Sequence, residues 1–555
     1  MATRAQVVVS AAAAAGAAAL AAALFYLHTR RAKRRNGKKE PFCLPNTTGP
    51  KTMRAIMEGS TWKFHVYEAP AAKRAGHSVV YVPMGFFIEK KYHMVVDAQY
   101  VDKVLGSDGL EKHRETYAPF DHAFGLGYKN LVTRKSKEDG WHPIRKKLAP
   151  FFAQTNLSKR MDGIHFKLKE MLENFRKAEE KNEALDMGAE FTKLTVDVIA
   201  ATAFDYDLKT QQGGEEGEAI LEGIPLLLKE AIMSHHVPVR KWFPFLFPEV
   251  IKANKMREKL TDISLKILRL RREKEKETGK AIDLAKDNTL VARILEAEYE
   301  SEMHRAADVM TFLFAGHDTT GFTLSWTVFE LVKHPEKLRK AQQQIDALMS
   351  ERPAEKRDGL ISFEDFAKIP YIYGCIREAM RMWPVVVAGS SRQIRGKDLV
   401  LGDYLIPKGE TIAVSQGALG RAAEWGDPNT YRPERWLSEG GASLEGVSEA
   451  SRDPDVSPGR STEAGDRDGQ GGSGQKEKVL PISELQKKFW LPFSSGPRNC
   501  VGMNLALMEA RVVLAAVLYF FDFEVRKLPE PGEEMQTYAI AKPKGGVWVV
   551  PRHRR

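Results

Sequence analysis

Cysteine is scarce in this chain: Cys43, Cys375 and Cys500 are the only three in 555 residues. They are too few and too scattered to form a disulfide framework, so a reducing compartment suits the chain and leaves a thiol free to bind metal. Net positive charge is also scarce outside the two ends of the chain. The formal net charge is +11, but the excess lies in Arg30, Arg31, Lys33, Arg34, Arg35, Lys38 and Lys39 and, at the other end, in Arg552, Arg554 and Arg555. A nearly neutral body with basic ends excludes nucleic acid as a partner. A dinucleotide fingerprint is missing as well. Gly469 to Gly474 is glycine-rich, yet no predicted strand precedes it, and its composition is that of a linker.

Apolar residues make up 43% of the chain, ample for a core. Val7 to Leu27 carries no charge and is long enough to cross a bilayer at about 1.5 Å per helical residue. The cations that follow it predict a cytosolic flank. The expectation is one N-terminal transmembrane helix, with 1–40 as anchor and basic flank and 41–555 as a single body. A cleaved signal or an organelle transit peptide is the alternative. Ser78 to Val82 and His93 to Val96 read as strands and Gln99 to Leu105 as a helix. From Lys159 to Lys333 the three-to-four spacing of apolar residues predicts long helices with little strand between them. The fold class is therefore mainly α with small β-sheets. Residues 439–478 are rich in Gly, Ser, Asp and Glu and predict a disordered insertion, because they cannot bury enough apolar surface to offset the entropy of ordering.

Two stretches carry the chemistry. In Phe493-Ser494-Ser495-Gly496-Pro497-Arg498-Asn499-Cys500-Val501-Gly502, a single cysteine lies between an aromatic wall, two glycines and a cation. The apolar run from Asn504 to Leu518 predicts a buried helix directly after it. Its N-terminus is expected to stabilise a thiolate at Cys500 and lower the thiol pKa. A buried, inert cysteine is the plainer alternative. The second stretch is Ala315-Gly316-His317-Asp318-Thr319-Thr320, inside an apolar helix from Ala307 to Val332. Glycine and paired threonines suit a mid-helix core poorly and predict a local opening of the hydrogen-bond ladder.

The first pattern, Phe-x-x-Gly-x-Arg-x-Cys-x-Gly, resembles the haem-binding loop of the cytochrome P-450 family at every fixed position, and the second resembles that family's oxygen-binding helix. The resemblance runs from about Ser78 to Val550 and is nearest in style to the fatty-acid and carotenoid hydroxylase branches. It implies the cytochrome P-450 fold, haem b with Cys500 as iron ligand, and a haem-thiolate monooxygenase that inserts one atom of O2 into a hydrophobic organic substrate. Thr319 is implied to hydrogen-bond the dioxygen and Asp318 to relay protons from solvent. Trp141, Arg145, Arg392 and Arg498 are implied to meet the haem propionates, with Phe493 against the ring. Glu378 and Arg381, one turn apart, are implied to form a structural triad with Arg435 of Pro433-Glu434-Arg435-Trp436, where Trp436 replaces the usual Phe.

With no flavin or nicotinamide site in view, electrons are expected from NADPH through a separate flavoprotein reductase, with cytochrome b5 or a ferredoxin as further candidates. Membrane lipid is the expected partner of the N-terminal helix. The implied address is the endoplasmic reticulum membrane with the catalytic body cytosolic, or alternatively a plastid. A reductase-independent peroxide isomerase or dehydratase of the same fold and a non-catalytic haem sensor are the competing readings.

Overall fold

The computed structural model describes residues 38–438 and 481–554, apart from 46, 85–89, 107–109, 238, 279–283, 285–286 and 288. The expected transmembrane helix at 7–27 and the expected insertion at 439–478 both lie outside the described residues.

Helices dominate, as the apolar periodicity predicts. Five of them build the site: α1 (Trp141–Leu148), α2 (Met187–Phe204), α3 (Glu302–Lys333), α4 (Pro370–Met382) and α5 (Met503–Phe520). α3 runs through the middle of the molecule. Ser301 caps it, its hydroxyl accepting from His304 N–H, and Lys333 in the last turn suits the negative end of the helix dipole. α2 crosses α3 closely because Gly316 and Gly321 present no side chain there. A Cβ on Gly316 would come within 2.9 Å of Ile199, and one on Gly321 within 2.7 Å of Thr192. The Thr195 hydroxyl ties the crossing by donating to His317 O at 2.9 Å. α5 is apolar enough by composition to cross a membrane, but 83% of it is buried inside the body, so it is a core helix.

The largest sheet contains β1 (Phe42–Cys43), β2 (Val79–Met84), β3 (Lys90–Val95), β4 (Ser391–Gln393) and β5 (Thr411–Val414) in the order β1-β2-β3-β5-β4. β2 and β3 are antiparallel with Val80 opposite Met94, while β3 and β5 are parallel with His93 opposite Ile412. Alternation sends Val79, Val95 and Ile412 into the main core and Val80, Val82 and Met94 into a second, smaller cluster with Leu44 and Phe64. A hairpin is formed by Leu399–Leu401 and Tyr404–Ile406, and Trp548–His553 closes a separate sheet against Phe521–Lys527.

One local expectation is corrected. α3 is continuous across Ala315 to Thr320 and does not open. Its threonines turn their hydroxyls back on their own helix, Thr311 to Ala307 O at 2.7 Å, Thr319 to Ala315 O at 2.7 Å and Thr323 to Thr319 O at 2.8 Å. The hydroxyl that was expected to compete with the ladder adds a second bond to carbonyls within it.

Candidate active site

The cysteine loop is set by backbone. Cys500 N–H donates to Phe493 O at 2.9 Å, and Gly496 to Arg498 form a single helical turn. Gly496 is required twice over: its φ is +71°, and a Cβ there would lie 2.0 Å from Leu105 O. The need comes from the protein's own backbone and not from a guest molecule. Gly502 differs, because the nearest protein atom to an added Cβ is 3.8 Å away and the residue lines a cavity.

That cavity, of about 300 Å³, brings the two motifs together. Cys500, Phe493 and Gly502 line it, and so do Ala315, Gly316, Thr319 and Thr320 from α3. Phe152, Ile199, Phe312, Met380 and Val385 make the rest of its surface mostly apolar. The accessible surface of Cys500 faces this enclosure, which is why the residue is exposed by area yet buried from bulk solvent. The expected lowering of its pKa does not occur. Burial pushes the thiol up, and the Gly502 N–H and the Arg145 guanidinium only partly offset it.

Cations converge at the same cavity. Arg145 is held on the cysteine loop by Asn499, with Nη1 donating to the main-chain O at 3.1 Å and Nη2 to Oδ1 at 3.0 Å. The Arg498 guanidinium stacks 4.1 Å from the Trp141 ring and Nη1 donates to Ser136 Oγ at 3.1 Å. Trp141, Arg145 and Arg498 line the cavity, whereas Arg392 stands just behind it, with Nη1 on Ser391 O at 3.1 Å. Lys112 completes the group, and no sequence signal marked it because charged runs such as Glu111-Lys112-His113-Arg114 are usually solvated. Its Nζ donates to Val132 O and it is buried on the cavity wall. Desolvation lowers all four cations, and repulsion from the neighbouring arginines adds to it at Lys112 and Arg498, taking Arg498 to about 9 and Lys112 well below its usual range. Arg145 Nε and Arg392 Nη2 are buried with no hydrogen-bond partner among the described residues. Four cations, two buried and two half-buried, with spare donors on Arg145 and Arg392, beside an apolar slot and a thiol form a cradle for a flat, apolar group that carries carboxylates. Haem fits it.

On α3, Thr319 Oγ donates within the helix and so turns its lone pairs to the cavity. Asp318 is buried and does not line the cavity; its Oδ1 lies 3.1 Å from His317 Nε2, a partner the motif did not predict. Behind the site, Glu378 accepts from Arg381 Nε and Nη2, both at 2.9 Å, and from Arg435 Nε at 2.8 Å, so the predicted triad meets in the interior. Trp436 adds a fourth contact. Its indole N–H donates to Glu378 Oε2 at 2.9 Å, a bond that the usual phenylalanine could not make and that the substitution itself could have signalled.

A thiol and a threonine-bearing helix lining one apolar slot with a cationic margin define a haem-thiolate oxygenase. The chain belongs to the cytochrome P-450 family, whose model matches residues 77–549, and is a monooxygenase. Among its relatives, carotene epsilon-monooxygenase, chloroplastic, of Arabidopsis thaliana is 27% identical over 74% of this chain and 69% of its own. Cytochrome P-450 4F12 of Homo sapiens is 27% identical over 74% and 71%, and cytochrome P-450 3A12 of Canis lupus familiaris 24% over 78% of each. A crystal structure of the cytochrome P-450DA heme domain superposes with a TM-score of 0.69 at 18% identity, covering 93% of this chain and 98% of that one. At that identity the match speaks for the fold.

Proposed function

We propose that this chain hydroxylates or epoxidises a hydrophobic organic substrate of the fatty-acid or carotenoid kind, RH + O2 + two electrons + two protons giving ROH + water. The observation that carries this is the single cavity shared by Cys500 and Thr319. Bound haem supplies oxygen activation, with Cys500 as the protein ligand that donates electron density to iron. Lys112, Arg145 and Arg498 would neutralise the propionates, with Arg392 adding its charge from the layer behind, Trp141 would back the arginines, and Phe493 would wall the ring. Thr319 accepts a hydrogen bond from a protonated group in the cavity, and Asp318 is the proton source behind it. The apolar walls hold the substrate and exclude bulk water. Electrons come from an NADPH-dependent flavoprotein reductase. Residues 7–27 anchor the chain in the endoplasmic reticulum membrane, the cytosolic side carrying the body; a plastid address is the alternative that a fluorescent fusion would reveal.

The test is reconstitution with reductase and NADPH, screened against fatty acids, carotenoids and sterols by substrate-induced spectral change and product formation. Oxygen consumption that needs both NADPH and substrate is expected, and turnover of lipid hydroperoxides without reductase would overturn the assignment. Thr319→Ala should divert electrons to hydrogen peroxide, with product per NADPH falling roughly tenfold or more. Unchanged coupling would remove Thr319 from the reaction. Lys112→Ala should lower the haem retained per protein after gel filtration, read as the ratio of haem to protein absorbance; full retention would place Lys112 outside the propionate cradle.

A further inference from the structure

The reaction proposed above leaves one residue of the oxygen-side motif without a task. His317 is fully buried, and its Nδ1 lies 2.8 Å from Leu313 O. A carbonyl oxygen only accepts, so Nδ1 carries the hydrogen of a neutral ring. Nε2 then presents a lone pair to Asp318 Oδ1, 3.1 Å away and off the ideal hydrogen-bond direction. Two acceptors at that distance inside a protein repel each other. The contact becomes attractive when one additional proton is present, either on Nε2, giving imidazolium and carboxylate, or on Oδ1, giving a neutral acid that donates to a neutral ring. Both arrangements contain the same atoms.

We propose that His317 and Asp318 hold one proton between Nε2 and Oδ1, and that His317 is the positioning residue that keeps Asp318 supplied with a deliverable proton beside Thr319 and Thr320. This rests on the proton-source role proposed for Asp318. In each cycle the shared proton moves from Nε2 to Oδ1 and leaves Oδ1 toward the threonine side, and one proton from water then restores the pair. No electron moves in these steps.

The surroundings leave this pair electrically alone. On α2, Glu190 pairs with Lys193 at 2.7 Å and Asp197 accepts from Thr210 N and Gln211 N at 2.9 and 3.1 Å. Glu378 of α4 is held by its arginines, and Glu509 of α5 faces the cavity. On the helix Pro248–Thr278, Lys266 pairs with Glu216 at 2.9 Å and Arg271 with Asp287; on Pro335–Ser350, Lys337 and Lys340 pair with Glu434. On α3 itself, Asp308 accepts from Leu131 N at 2.6 Å and Glu330 from Trp383 Nε1 at 2.7 Å. The Thr195 hydroxyl of α2 donates to the His317 main-chain O, and the Phe314 ring one turn back lies edge-on to the imidazole at 6.4 Å between centroids; both are uncharged. Burial disfavours the charged ring, whereas Asp318 and the Leu313 carbonyl favour it, and the net effect raises His317 above its ordinary range.

The direct test is hydrogen–deuterium exchange at the imidazole carbon of His317, followed by mass spectrometry across pH in the full-length holoenzyme. Wild-type His317 is expected to titrate above ordinary histidine. Asp318→Asn should move its inflection below, because burial then acts unopposed. A wild-type inflection below the ordinary range, or one that Asp318→Asn leaves in place, overturns the shared proton. For the positioning role, His317→Gln should lower product per NADPH roughly tenfold at neutral pH, with the loss growing as pH rises, while substrate KM stays within about twofold. Coupling equal to wild type across pH in a folded His317→Gln overturns that role. If Asp318→Asn is itself fully coupled, the proton-source reading fails; if it uncouples and His317→Gln does not, only the inference about His317 fails.

Discussion

Cys500→Ser is expected to abolish the carbon monoxide difference band that gives the cytochrome P-450 family its name. The exchange is nearly isosteric, and the loop is held by backbone: Cys500 N–H to Phe493 O at 2.9 Å, with Gly496 fixed against Leu105 O. The loop therefore survives, and the change is confined to the donor atom. A hydroxyl is a far weaker acid than a thiol and a harder donor, so it does not give iron the anionic sulfur on which the band depends. The measurement is the reduced carbon monoxide difference spectrum of the purified variant, with its haem content determined separately. An undiminished band would reject Cys500 as the ligand and with it the reading of the loop.

Glu378→Ala is expected to cost about 3–5 kcal/mol, because it removes the acceptor shared by two buried cations. Glu378 is buried and receives Arg381, Arg435, the Trp436 indole and, at 3.0 Å, the Arg432 N–H. The two arginines hold its carboxyl below the usual range against a burial effect that would raise it. Without the carboxylate, Arg381 keeps Gly420 O at 2.6 Å and Pro428 O at 2.7 Å, which are dipoles facing a whole charge. A loss of that size is a large share of the roughly 5–15 kcal/mol that separates folded from unfolded protein, so poor accumulation of the variant is part of the expectation. Urea unfolding of wild type, Glu378→Gln and Glu378→Ala checks it. The glutamine variant keeps an acceptor oxygen and should fall between the other two. A change under about 1 kcal/mol for the alanine variant would reduce the triad to a geometric coincidence.

The site was legible in the sequence where it depends on local spacing. Phe493 to Gly502 and Ala315 to Thr320 are contiguous, so each is readable without the cavity that joins them. The Glu378, Arg381 and Arg435 triad was legible only through resemblance, since one turn of helix and a distant arginine say nothing alone. What escaped depends on long-range placement. Lys112 looks like any lysine in a charged run until Val132 and the arginines close around it. For Arg392, resemblance implies a propionate partner, and only the fold shows that its side chain stands one layer back from the cavity wall. The raised pKa of Cys500 is not legible because the helix start is visible in sequence and the depth of burial is not. The continuity of α3 is hidden for a related reason: a threonine hydroxyl can compete with the ladder or bond back to the carbonyl four residues earlier, and only the folded helix shows the second.

The four cations around the cradle have a consequence for biosynthesis. Before its prosthetic group arrives, a newly made chain must bring Lys112, Arg145, Arg392 and Arg498 together against their own repulsion, and the carboxylates of the porphyrin relieve it. Maturation is therefore tied to porphyrin supply, and cells starved of iron or of porphyrin precursors should accumulate less of this polypeptide even when its messenger is abundant.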